Sequence, residues 1–395
     1  MPIKRLVKEL DYLLTFDSIG YLYGAITKYL GFTPHRHEGK VTGLAAYGDF
    51  SKTLPIFEKL INWENNTIVS NLGLYKPFFS ITNNLSEQLE KFSKADIAAG
   101  LQAHCENLLV HFISYWIKKI NFSGMKNICL SGGLFANVKI NQAIRAINGI
   151  DNIYIFPHMG DGGLPVGSVC YLNYMLTGHS KTAFPMVYYG SEYTDEQIFN
   201  ILTLYSDKIR FHRIENKVQR VVDALIKKNV VGYFDNRMEY GPRALGSRSI
   251  LYHAREKTVN DWLNKRLNRT EFMPFAPVTP IEYAHDCYIG WNKTHICSYF
   301  MTTTYNCSES FKQKHKAVVH IDGTARPQIV TQDLNGVYYN IVKTYCDLTG
   351  EKALINTSFN QHEEPIVCSP DNAVESLIKD NVDVLFIGNY RVSKS

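Results

Sequence analysis

Two kinds of hydrophobic pattern alternate along the chain. Apolar residues recur at helical spacing from Ser18 to Tyr29 and again from Ser93 to Trp116. These patterns predict two amphipathic helices, with Asp17 or Ser18 as the N-cap of the first and Ser93 as the N-cap of the second. Short, nearly continuous apolar runs at 126–131, 152–156 and 230–234 predict buried strands. The alternation of strand and helix patterns is typical of an α/β protein.

The same pattern divides the chain into two parts. Polar residues become more frequent from about 175 to 195 and Pro185 interrupts the stretch, which predicts a boundary between a domain at 1–182 and a domain at 183–395. The predicted helices of the second domain cover 195–205, 218–228, 259–267 and 370–379. Its predicted strands cover 209–214, 230–234 and 384–387, with a further strand that begins at 353.

Composition and charge narrow the possible functions. The chain has 395 residues, 45% hydrophobic and 20% charged, which is ordinary for a globular protein. Its net charge of +5 is not gathered in a basic tail, which argues against general nucleic-acid binding. We read neither a signal peptide nor an apolar run of the ~18 residues that a membrane span needs. Eight scattered cysteines without a CxxC pair predict reduced thiols in a cytoplasmic protein.

The stretch with the most concentrated candidate chemistry is RMEYGPRALGSRS at 237–249. It holds Arg237, Arg243 and Arg248, together with Gly241 and Gly246. Guanidinium groups give paired hydrogen bonds to phosphate or carboxylate oxygens, and glycine lets the backbone turn closely around a ligand. Because the stretch follows a predicted strand, we expect a tight loop and one helical turn that bind an anion.

Two further glycine turns follow predicted strands in the first domain. Gly132 and Gly133 stand between the strand at 126–131 and a predicted helix at 137–146, an order that favours a phosphate cradle at a helix N-terminus. Asp161 stands among glycines after the strand at 152–156, where a carboxylate is either a metal or Mg-nucleotide ligand or simply a turn residue. Two such turns after adjacent strands are similar to those of the actin-like ATPase lobe.

Short polar side chains form two more clusters in the second domain. They are His320, Asp322 and Arg326 in HIDGTARPQIV, and Asn356, Ser358 and Asn360 in LINTSFN. Several polar segments bounded by glycine or proline in one domain indicate a binding site. By contrast, His104 and His111 stand seven residues apart on one predicted helix, which favours structural or surface roles over metal binding.

In combination these segments resemble the O-carbamoyltransferase family, of the nodulation-factor and antibiotic-tailoring type. The matching blocks run in order from about Asp17 to the C-terminus. They are DSIGYLY, HEGKVTGLAAYG, LSGGLFANVKINQ, GDGGLPVGS, RMEYGPRALGSRSIL, MPFAPV, HIDGTARPQIV and LINTSFNQHEEPIVCSPDNAVESL, followed by IGNY. The resemblance implies an α/β fold in which the C-terminal lobe of an actin-like (ASKHA) ATPase module, at 1–182, precedes a YrdC-like α/β domain at 183–395.

The resemblance also implies a reaction. In the family, the YrdC-like module forms carbamoyladenylate from carbamoyl phosphate and ATP, with Mg²⁺, and releases pyrophosphate. The actin-like module then transfers the carbamoyl group to a hydroxyl with the help of Fe²⁺ or a similar divalent metal. No motif fixes the acceptor, which stays open among sugars, small natural products, polysaccharides and nucleosides.

Site residues are carried over position by position. The resemblance assigns the YrdC-like site to Arg243, Arg248, Arg269, His320, Asp322, Arg326, Asn356 and Asn360. It assigns the nucleotide and phosphate contacts to Glu38, Lys40, Gly132, Gly133, Asn137 and Gly160, and to Lys265 in the second domain. Asp161 is the expected metal ligand.

Two departures from the family pattern bear on these expectations. Family members carry a further actin-like lobe with an HxxxH pair, whereas none of the 13 histidines here stands four residues from another. We therefore expect either that a separate chain supplies that lobe or that the transfer site is incomplete, and we favour the separate chain. In the family's Lys-x-Arg-x-x-x-Arg-Pro pattern, Asn268 stands near the lysine and Met273 replaces the second arginine, while Lys265 and Arg266 could reach in from the preceding turn.

The leading hypothesis is a subunit of an ATP-dependent O-carbamoyltransferase that uses carbamoyl phosphate and a hydroxyl-bearing acceptor. A partner chain would complete its transfer site, and a homodimer stays open. One alternative is a tRNA threonylcarbamoylation-type protein. Another is a nucleotide-binding regulatory subunit without turnover.

Overall fold

The computed structural model describes residues 17–71, 75–76, 80–120, 124, 126–179, 186–269 and 274–395. The chain forms two compact units, one of residues 1–124 with 146–149 and one of residues 125–145 with 150–395. The N-terminal stretch considered for a signal peptide, Pro185 and Met273 all lie outside the described residues. The domain boundary expected between 182 and 183 stays a prediction.

The first unit is mainly helical. Its helices are α1 (Ile19–Tyr29), α2 (Glu38–Ala45), α3 (Leu54–Phe57), α4 (Asn83–Leu89) and α5 (Lys94–Lys119). Its strands are β1 (Ile61–Glu64), β2 (Thr67–Ser70), β3 (Tyr75–Lys76) and β4 (Ser80–Ile81), which pair as the antiparallel ladders β1–β2 and β3–β4. The helices predicted after Ser18 and Ser93 are confirmed.

Helix α5 is anchored at its N-terminus by two residues. The hydroxyl of Ser93 accepts a hydrogen bond from the amide of Asp96, as the sequence predicts for an N-cap. The Asp96 carboxylate accepts from the amide of Asp49 at 2.8 Å and from the ammonium of Lys52 at 3.0 Å. Asp96 therefore ties the preceding loop to the start of the helix.

The two histidines of α5 have the roles that their spacing favours. The buried ring of His104 hydrogen bonds to the carbonyl oxygen of Ile61 at 2.7 Å, and burial lowers the pKa of this histidine. His111 is exposed and packs its ring against that of Trp63, with 5.2 Å between the ring centroids.

The second unit contains the remaining elements. Its helices are α6 (Val138–Arg145), α7 (Leu164–Thr177), α8 (Asp195–Leu204), α9 (Lys217–Ile226), α10 (Thr258–Arg266), α11 (Ile281–Cys287), α12 (Glu309–Lys314), α13 (Gly336–Thr349) and α14 (Pro370–Ile378). Its strands are β5 (Asn127–Leu130), β6 (Asn152–Ile155), β7 (Ile209–Arg213), β8 (Val231–Phe234), β9 (Arg248–His253), β10 (Ala276–Pro280), β11 (Tyr305–Asn306), β12 (Thr324–Ala325), β13 (Gln328–Val330), β14 (Leu354–Ser358), β15 (Val384–Ile387) and β16 (Tyr390–Lys394).

A large mixed sheet forms the centre of this unit. Its strand order is β13-β10-β14-β9-β8-β15-β16-β7, with parallel pairing in β13–β10 and β8–β15 and antiparallel pairing elsewhere. Strands β5 and β6 form a separate parallel pair, and β11 and β12 form a short antiparallel pair. The α/β fold predicted from the sequence is confirmed at this level.

Both faces of the central strands of the large sheet are buried. In β15, Val384 and Phe386 pack with α9 and α13 on one face, whereas Leu385 and Ile387 pack on the other face with α8, α10, α11 and α14. Side chains alternate across a strand, so a run that is apolar at every position is the pattern of a strand covered on both sides. This is why the short apolar runs at 230–234 and 384–387 were good predictors of central strands.

Two local expectations were wrong. The stretch at 237–249 contains no helical turn, because β8 returns through it directly into β9, its antiparallel neighbour. Gly132 and Gly133 do not open an α-helix either. A 3₁₀ turn at Gly133–Ala136 follows them, and α6 begins only at Val138.

Within the described ranges, no helix is long and apolar enough to cross a membrane.

Candidate active site

The loop at 237–249, here called the arginine loop, is held together by a buried glutamate. One oxygen of the Glu239 carboxylate accepts hydrogen bonds from the amides of Leu245 at 2.6 Å, Ser247 at 2.7 Å and Arg248 at 3.3 Å. Converging backbone amides of this kind are a usual anion-binding arrangement. Here the anion is a side chain of the loop itself, and burial raises the pKa of Glu239. A substrate anion at this loop must therefore be bound by side chains rather than by these amides.

The three arginines of the loop differ in their surroundings. Arg248 is fully buried, and its guanidinium donates to the carbonyl oxygens of Asp235, Asn236, Ser247 and Ser191 at 2.9–3.1 Å. It also lies 3.6 Å from the centre of the Phe234 ring. Burial lowers the pKa of Arg248. This geometry gives Arg248 a loop-holding role, whereas Arg237 is exposed and Arg243 is partly exposed.

The arginine loop contacts two other segments that the sequence singled out. The Tyr240 hydroxyl donates to the carbonyl oxygen of Gly162, and a Cβ on Gly241 would lie 3.2 Å from the carbonyl oxygen of Pro157. These contacts join the loop to the turn that carries Asp161. The loop is equally joined to β14, because the Asn356 side chain donates to the carbonyl oxygen of Ala244 at 3.1 Å.

Asn356 is part of a buried amide pair beneath the loop. Its amide group also donates to the Gln328 side chain at 2.7 Å, and Gln328 in turn donates to the carbonyl oxygen of Leu245 at 2.7 Å. Both side chains are almost fully buried. In this arrangement Asn356 supports the arginine loop from behind.

A second polar cluster lies at the end of β14. The Arg269 guanidinium donates to the hydroxyl of Thr357 at 2.7 Å, to the carbonyl oxygen of Ser358 at 2.7 Å and to the side-chain oxygen of Asn360 at 2.9 Å. The Ser358 hydroxyl donates to the same Asn360 oxygen at 2.6 Å. Ser358 is the register partner of Ser249 in β9, so this cluster adjoins the start of the strand that leaves the arginine loop.

His320 and Asp322 form a third cluster that includes a lysine from α6. The Asp322 carboxylate lies 2.8 Å from the Lys139 ammonium and 3.5 Å from the His320 ring, and it accepts from the Thr324 hydroxyl at 2.6 Å. Burial opposes ionisation of Asp322, but the bonds from His320, Lys139 and Thr324 together hold its pKa well below the ordinary value. Asp322 is thus a carboxylate at neutral pH. Arg326, also assigned here from the sequence, is partly exposed.

Helix α6 carries further contacts to the same region. The Asn141 amide donates to the carbonyl oxygen of Thr302 at 2.7 Å, and the Arg145 guanidinium lies 4.0 Å from the centre of the Tyr305 ring. These contacts tie α6, which follows the Gly132-Gly133 turn, to the segment at 302–325. The helix that follows LSGG and the segment HIDGTARPQ therefore lie close together in the fold, although about 180 residues of sequence separate them.

The glycine turn itself is open. Gly132 has φ +118°, and a Cβ on either Gly132 or Gly133 would meet no atom within 4 Å. Asn137, expected to touch a nucleotide, uses its side-chain oxygen to accept from the amides of Lys139 and Ile140 at 3.2 and 3.1 Å. It therefore caps α6 in this structure.

Asp161 and Gly160 lie in the neighbouring turn. Asp161 is exposed and begins a 3₁₀ turn at Asp161–Gly163, with Gly160 before it. Among the residues that the structure describes, no three His, Cys, Asp or Glu side chains are grouped so that they could hold a metal ion. Transition-metal sites need about three or more protein ligands, so the described residues do not by themselves fit the iron-type metal expected at Asp161.

The remaining assigned residues fall in two places. Glu38 and Lys40 begin α2 in the first unit, where a Glu38 oxygen accepts from the amide of His35 at 2.6 Å and Lys40 is buried. Lys265 is exposed on α10 in the second unit. Its neighbour Arg266 is bonded to the Asp383 carboxylate at 2.8 Å and is therefore already paired.

Sequence reasoning missed two residues that organise the site. Lys139 has no signal in the sequence, because a lysine on a helix is usually a solvated surface charge, and only the fold shows that it meets Asp322. Glu239 could have been recognised from the sequence, since it is the one acidic residue in a stretch with three arginines.

Comparison with known proteins places the chain in a family. A family model described as carbamoyltransferase N-terminus matches residues 4–170, and one described as carbamoyltransferase C-terminus matches residues 222–394. An uncharacterized protein of Methanocaldococcus jannaschii is 32% identical over 387 residues, which cover 96% of this chain and 72% of that protein. Nodulation protein NolNO of Sinorhizobium fredii is 30% identical over 402 residues, 98% of this chain and 57% of that protein.

The relatives are longer than this chain. A second uncharacterized protein of Methanocaldococcus jannaschii is 31% identical, and the match covers 95% of this chain but 62% of that protein. Among solved structures, full-length HypF in its phosphate- and nucleotide-bound form has a TM-score of 0.34 at 18% identity, covering 45% of this chain and 22% of that one. HypF of T. kodakarensis has a TM-score of 0.33 at 16% identity, covering 47% of this chain and 22% of that one. Likeness of this degree does not establish a common fold.

The matches to both family models and to the relative that is 32% identical over 387 residues agree with the order of motifs described above. The chain belongs to the carbamoyltransferase family.

Proposed function

We propose that this chain is a subunit of an ATP-dependent O-carbamoyltransferase. Its C-terminal part, YrdC-like in organisation, forms carbamoyladenylate from carbamoyl phosphate, water and MgATP and releases phosphate and pyrophosphate. Its N-terminal part is one lobe of an actin-like module that transfers the carbamoyl group to a hydroxyl of a small molecule or sugar. A partner chain completes the transfer site with the HxxxH lobe.

The observation that carries the proposal is the convergence of cationic and amide-rich segments in one unit. The arginine loop is joined to β14 and to the turn of Asp161, and the cluster of Arg269, Ser358 and Asn360 lies beside it. Arginine and serine or asparagine groups at one edge of a sheet can bind the planar carbamoyl group and its phosphate together.

The residues would share the work as follows. Arg269 is already oriented by three neighbours, so it can bind an oxyanion without first being ordered, which lowers the cost of binding. Arg243 would neutralise phosphate charge as the new bond to the α-phosphate forms. The buried Glu239 and Arg248 keep the loop in one conformation, and the open Gly132-Gly133 turn admits nucleotide phosphates in the transfer module.

Asp161 can serve as a metal ligand only together with further ligands, and the described residues near it do not supply them. We propose that a partner carrying histidines supplies them. An HxxxH pair on a helix would place two imidazoles on one face, which is a common way to bind a divalent metal.

The test is an assay of the purified chain alone with ATP, Mg²⁺ and carbamoyl phosphate, read as pyrophosphate release and as carbamoyladenylate by mass spectrometry. Product is expected without any partner, since all the groups named for adenylation belong to this chain. Arg243→Ala should lose this activity, while Arg210→Ala, a surface arginine on β7, serves as the matched control.

A chain that binds ATP but releases no pyrophosphate would contradict the proposal and would favour a regulatory subunit. Copurification with tRNA would favour the threonylcarbamoylation alternative. A pull-down that recovers a small chain with an HxxxH pair would support the proposed partner.

A further inference from the structure

A cavity of about 880 Å³ opens beside the β5–β6 pair in the second unit. One wall consists of Leu130, Tyr154 and Phe156 with the first turns of α7. The segments around 281, 293–300 and 331–334 also line the cavity. This volume is within the range of small-molecule sites, which is about 300–1,000 Å³.

The lining of the cavity is mainly aromatic and aliphatic. Tyr154, Phe156, Tyr299 and Phe300 contribute four rings, and burial raises the pKa of Tyr154 to about 12, so that its hydroxyl stays protonated. Ring-lined pockets favour ligands with a flat or apolar body, because stacking and burial of apolar surface both contribute to binding.

Few charged groups line the cavity. Lys293 and Asp333 are the charged residues of the lining, and both are exposed. A polycationic sugar would need several carboxylates, and a phosphorylated acceptor would need several cations. The lining therefore fits a ligand that is uncharged or carries a single charge at its rim.

The cavity also adjoins the glycine turns. Ser131 precedes the Gly132-Gly133 turn and lines the cavity, as does Gly163 of the turn that begins at Asp161. A ligand in the cavity would thus have its rim next to the segments that the proposed function assigns to carbamoyl transfer.

We propose that this cavity binds the acceptor and that the acceptor is an aromatic or strongly apolar alcohol rather than a sugar. This inference rests on the proposed function for the identity of the ligand as an acceptor. The implied transfer forms one bond and breaks one bond. The acceptor hydroxyl oxygen forms the new bond to the carbamoyl carbon, the bond to AMP breaks, AMP leaves with the electron pair, and the hydroxyl proton is released.

Two cysteines of the chain can report on ligand binding in this cavity. Cys129 and Cys170 both line the cavity, and Cys129 is exposed while Cys170 is partly exposed. Cys368 is exposed but is not part of the lining, which makes it an internal control.

The experiment measures alkylation of the full chain by N-ethylmaleimide, cysteine by cysteine, by peptide mass spectrometry. The probes are 2-(4-hydroxyphenyl)ethanol, as an aromatic alcohol, and D-glucose. At about three times its Kd, the aromatic alcohol should slow alkylation of Cys129 and Cys170 about fourfold and leave Cys368 unchanged. Glucose should change none of the three rates.

Protection by glucose alone, equal protection of Cys368, or no protection at these two thiols would overturn the inference. Running the carbamoyladenylate assay on the same samples separates the two proposals. Adenylate without thiol protection refutes the aromatic acceptor site only. Thiol protection without adenylate refutes the proposed reaction, and with it the role of the ligand as acceptor, but leaves the cavity as a site for an aromatic ligand.

A pair of α7 variants gives a second, ligand-free readout. Gly167 lines the cavity and a Cβ there would meet no atom within 4 Å, so Gly167→Trp should fill space and slow alkylation of Cys129 and Cys170 without any probe. Val169→Trp, two residues along the same helix and outside the lining, should not. Equal behaviour of the two variants would contradict the assigned cavity.

Discussion

The arginine loop at 237–249 and the glycine turn at 131–137 invited the same interpretation from sequence, yet their structures differ. In the arginine loop the backbone amides are taken up by Glu239, the central arginine Arg248 is buried, and a Cβ on Gly246 would lie 2.3 Å from the Tyr338 ring. In the glycine turn, a Cβ on Gly132 or Gly133 would meet nothing within 4 Å. One loop is internally filled and the other is open.

The difference shows that glycine and arginine alone do not identify a ligand-binding loop. Glycine serves close packing in the first case and leaves open space in the second, and only neighbouring atoms distinguish the two. An acidic residue within an arginine-rich loop is the useful warning, because a buried carboxylate needs the same amides that a phosphate would use.

The largest effect on stability is expected from alanine at Gly246, and the contrast with alanine at Gly133 tests the comparison. Gly246→Ala should lower the free energy of unfolding by about 3 kcal/mol, because Gly246 has φ +110° and the new methyl group collides with Tyr338. Gly133→Ala should leave stability within about 0.5 kcal/mol of the parent. It should weaken ATP binding instead, roughly tenfold, since its methyl group enters the open turn. Urea unfolding and calorimetric titration with ATP measure both; similar unfolding by the two variants would contradict the comparison.

Removal of the buried carboxylate is expected to have the next largest effect. Glu239→Ala leaves the amides of Leu245 and Ser247 without their acceptor and should cost about 2–3 kcal/mol of stability. Glu239→Gln keeps an acceptor oxygen and should cost less. If the two variants unfold at the same urea concentration, the carboxylate is not what holds the loop.

Substitution of Arg248 should lower the stability of the fold, whereas substitution of Arg243 should lower the activity. Arg248→Met removes donors from four carbonyl oxygens and should cost about 2 kcal/mol. Arg243→Met should keep the unfolding free energy within about 0.5 kcal/mol and yet lose carbamoyladenylate formation. Parallel urea unfolding and pyrophosphate assays test this, and loss of activity in neither variant would remove the loop from the proposed site.

The smallest effect on stability is expected from His295, which lies near Arg145 of α6. Burial and the nearby Arg145 lower the pKa of His295 to about 4, against about 6.5 for a free histidine. As pH falls from about 6.5 to about 4, the unfolded chain binds a proton that the folded chain does not, so stability is lost in that window. His295→Gln should reduce this loss. Melting temperatures at pH 7 and pH 5 measure it, and an unchanged pH dependence would show that other groups dominate.

The sequence predicted the elements of the second unit well. Strands at 209–213, 231–234 and 384–387 and helices at 195–204, 217–226 and 370–378 lie within two residues of their predicted bounds. This succeeded because each element is short, strongly patterned and bounded by glycine, proline or a polar cap. It failed at the arginine loop, where an apolar strand followed by glycines is equally compatible with a helix or with a return strand.

The candidate site was less predictable than the fold. Arg269 and Asn360 lie close together in the structure, and their assignment to one site stays a prediction. Asn137 and Arg248 were assigned to ligands, but in the structure Asn137 caps a helix and Arg248 holds a loop. Sequence identifies a polar residue type, whereas its hydrogen-bond partners depend on segments far along the chain.

The sequence by itself determined the family, the α/β class and the positions of most helices and strands. Hydrophobic periodicity, capping residues and motif order are all features of neighbouring positions in the sequence. Only the tertiary structure decided that Lys139 meets Asp322, that Glu239 accepts hydrogen bonds from the amides of its own loop, and that four aromatic rings line one open cavity. The physical reason is that charge pairing and cavity shape depend on distances between residues distant in sequence, and the packing of the folded chain sets those distances.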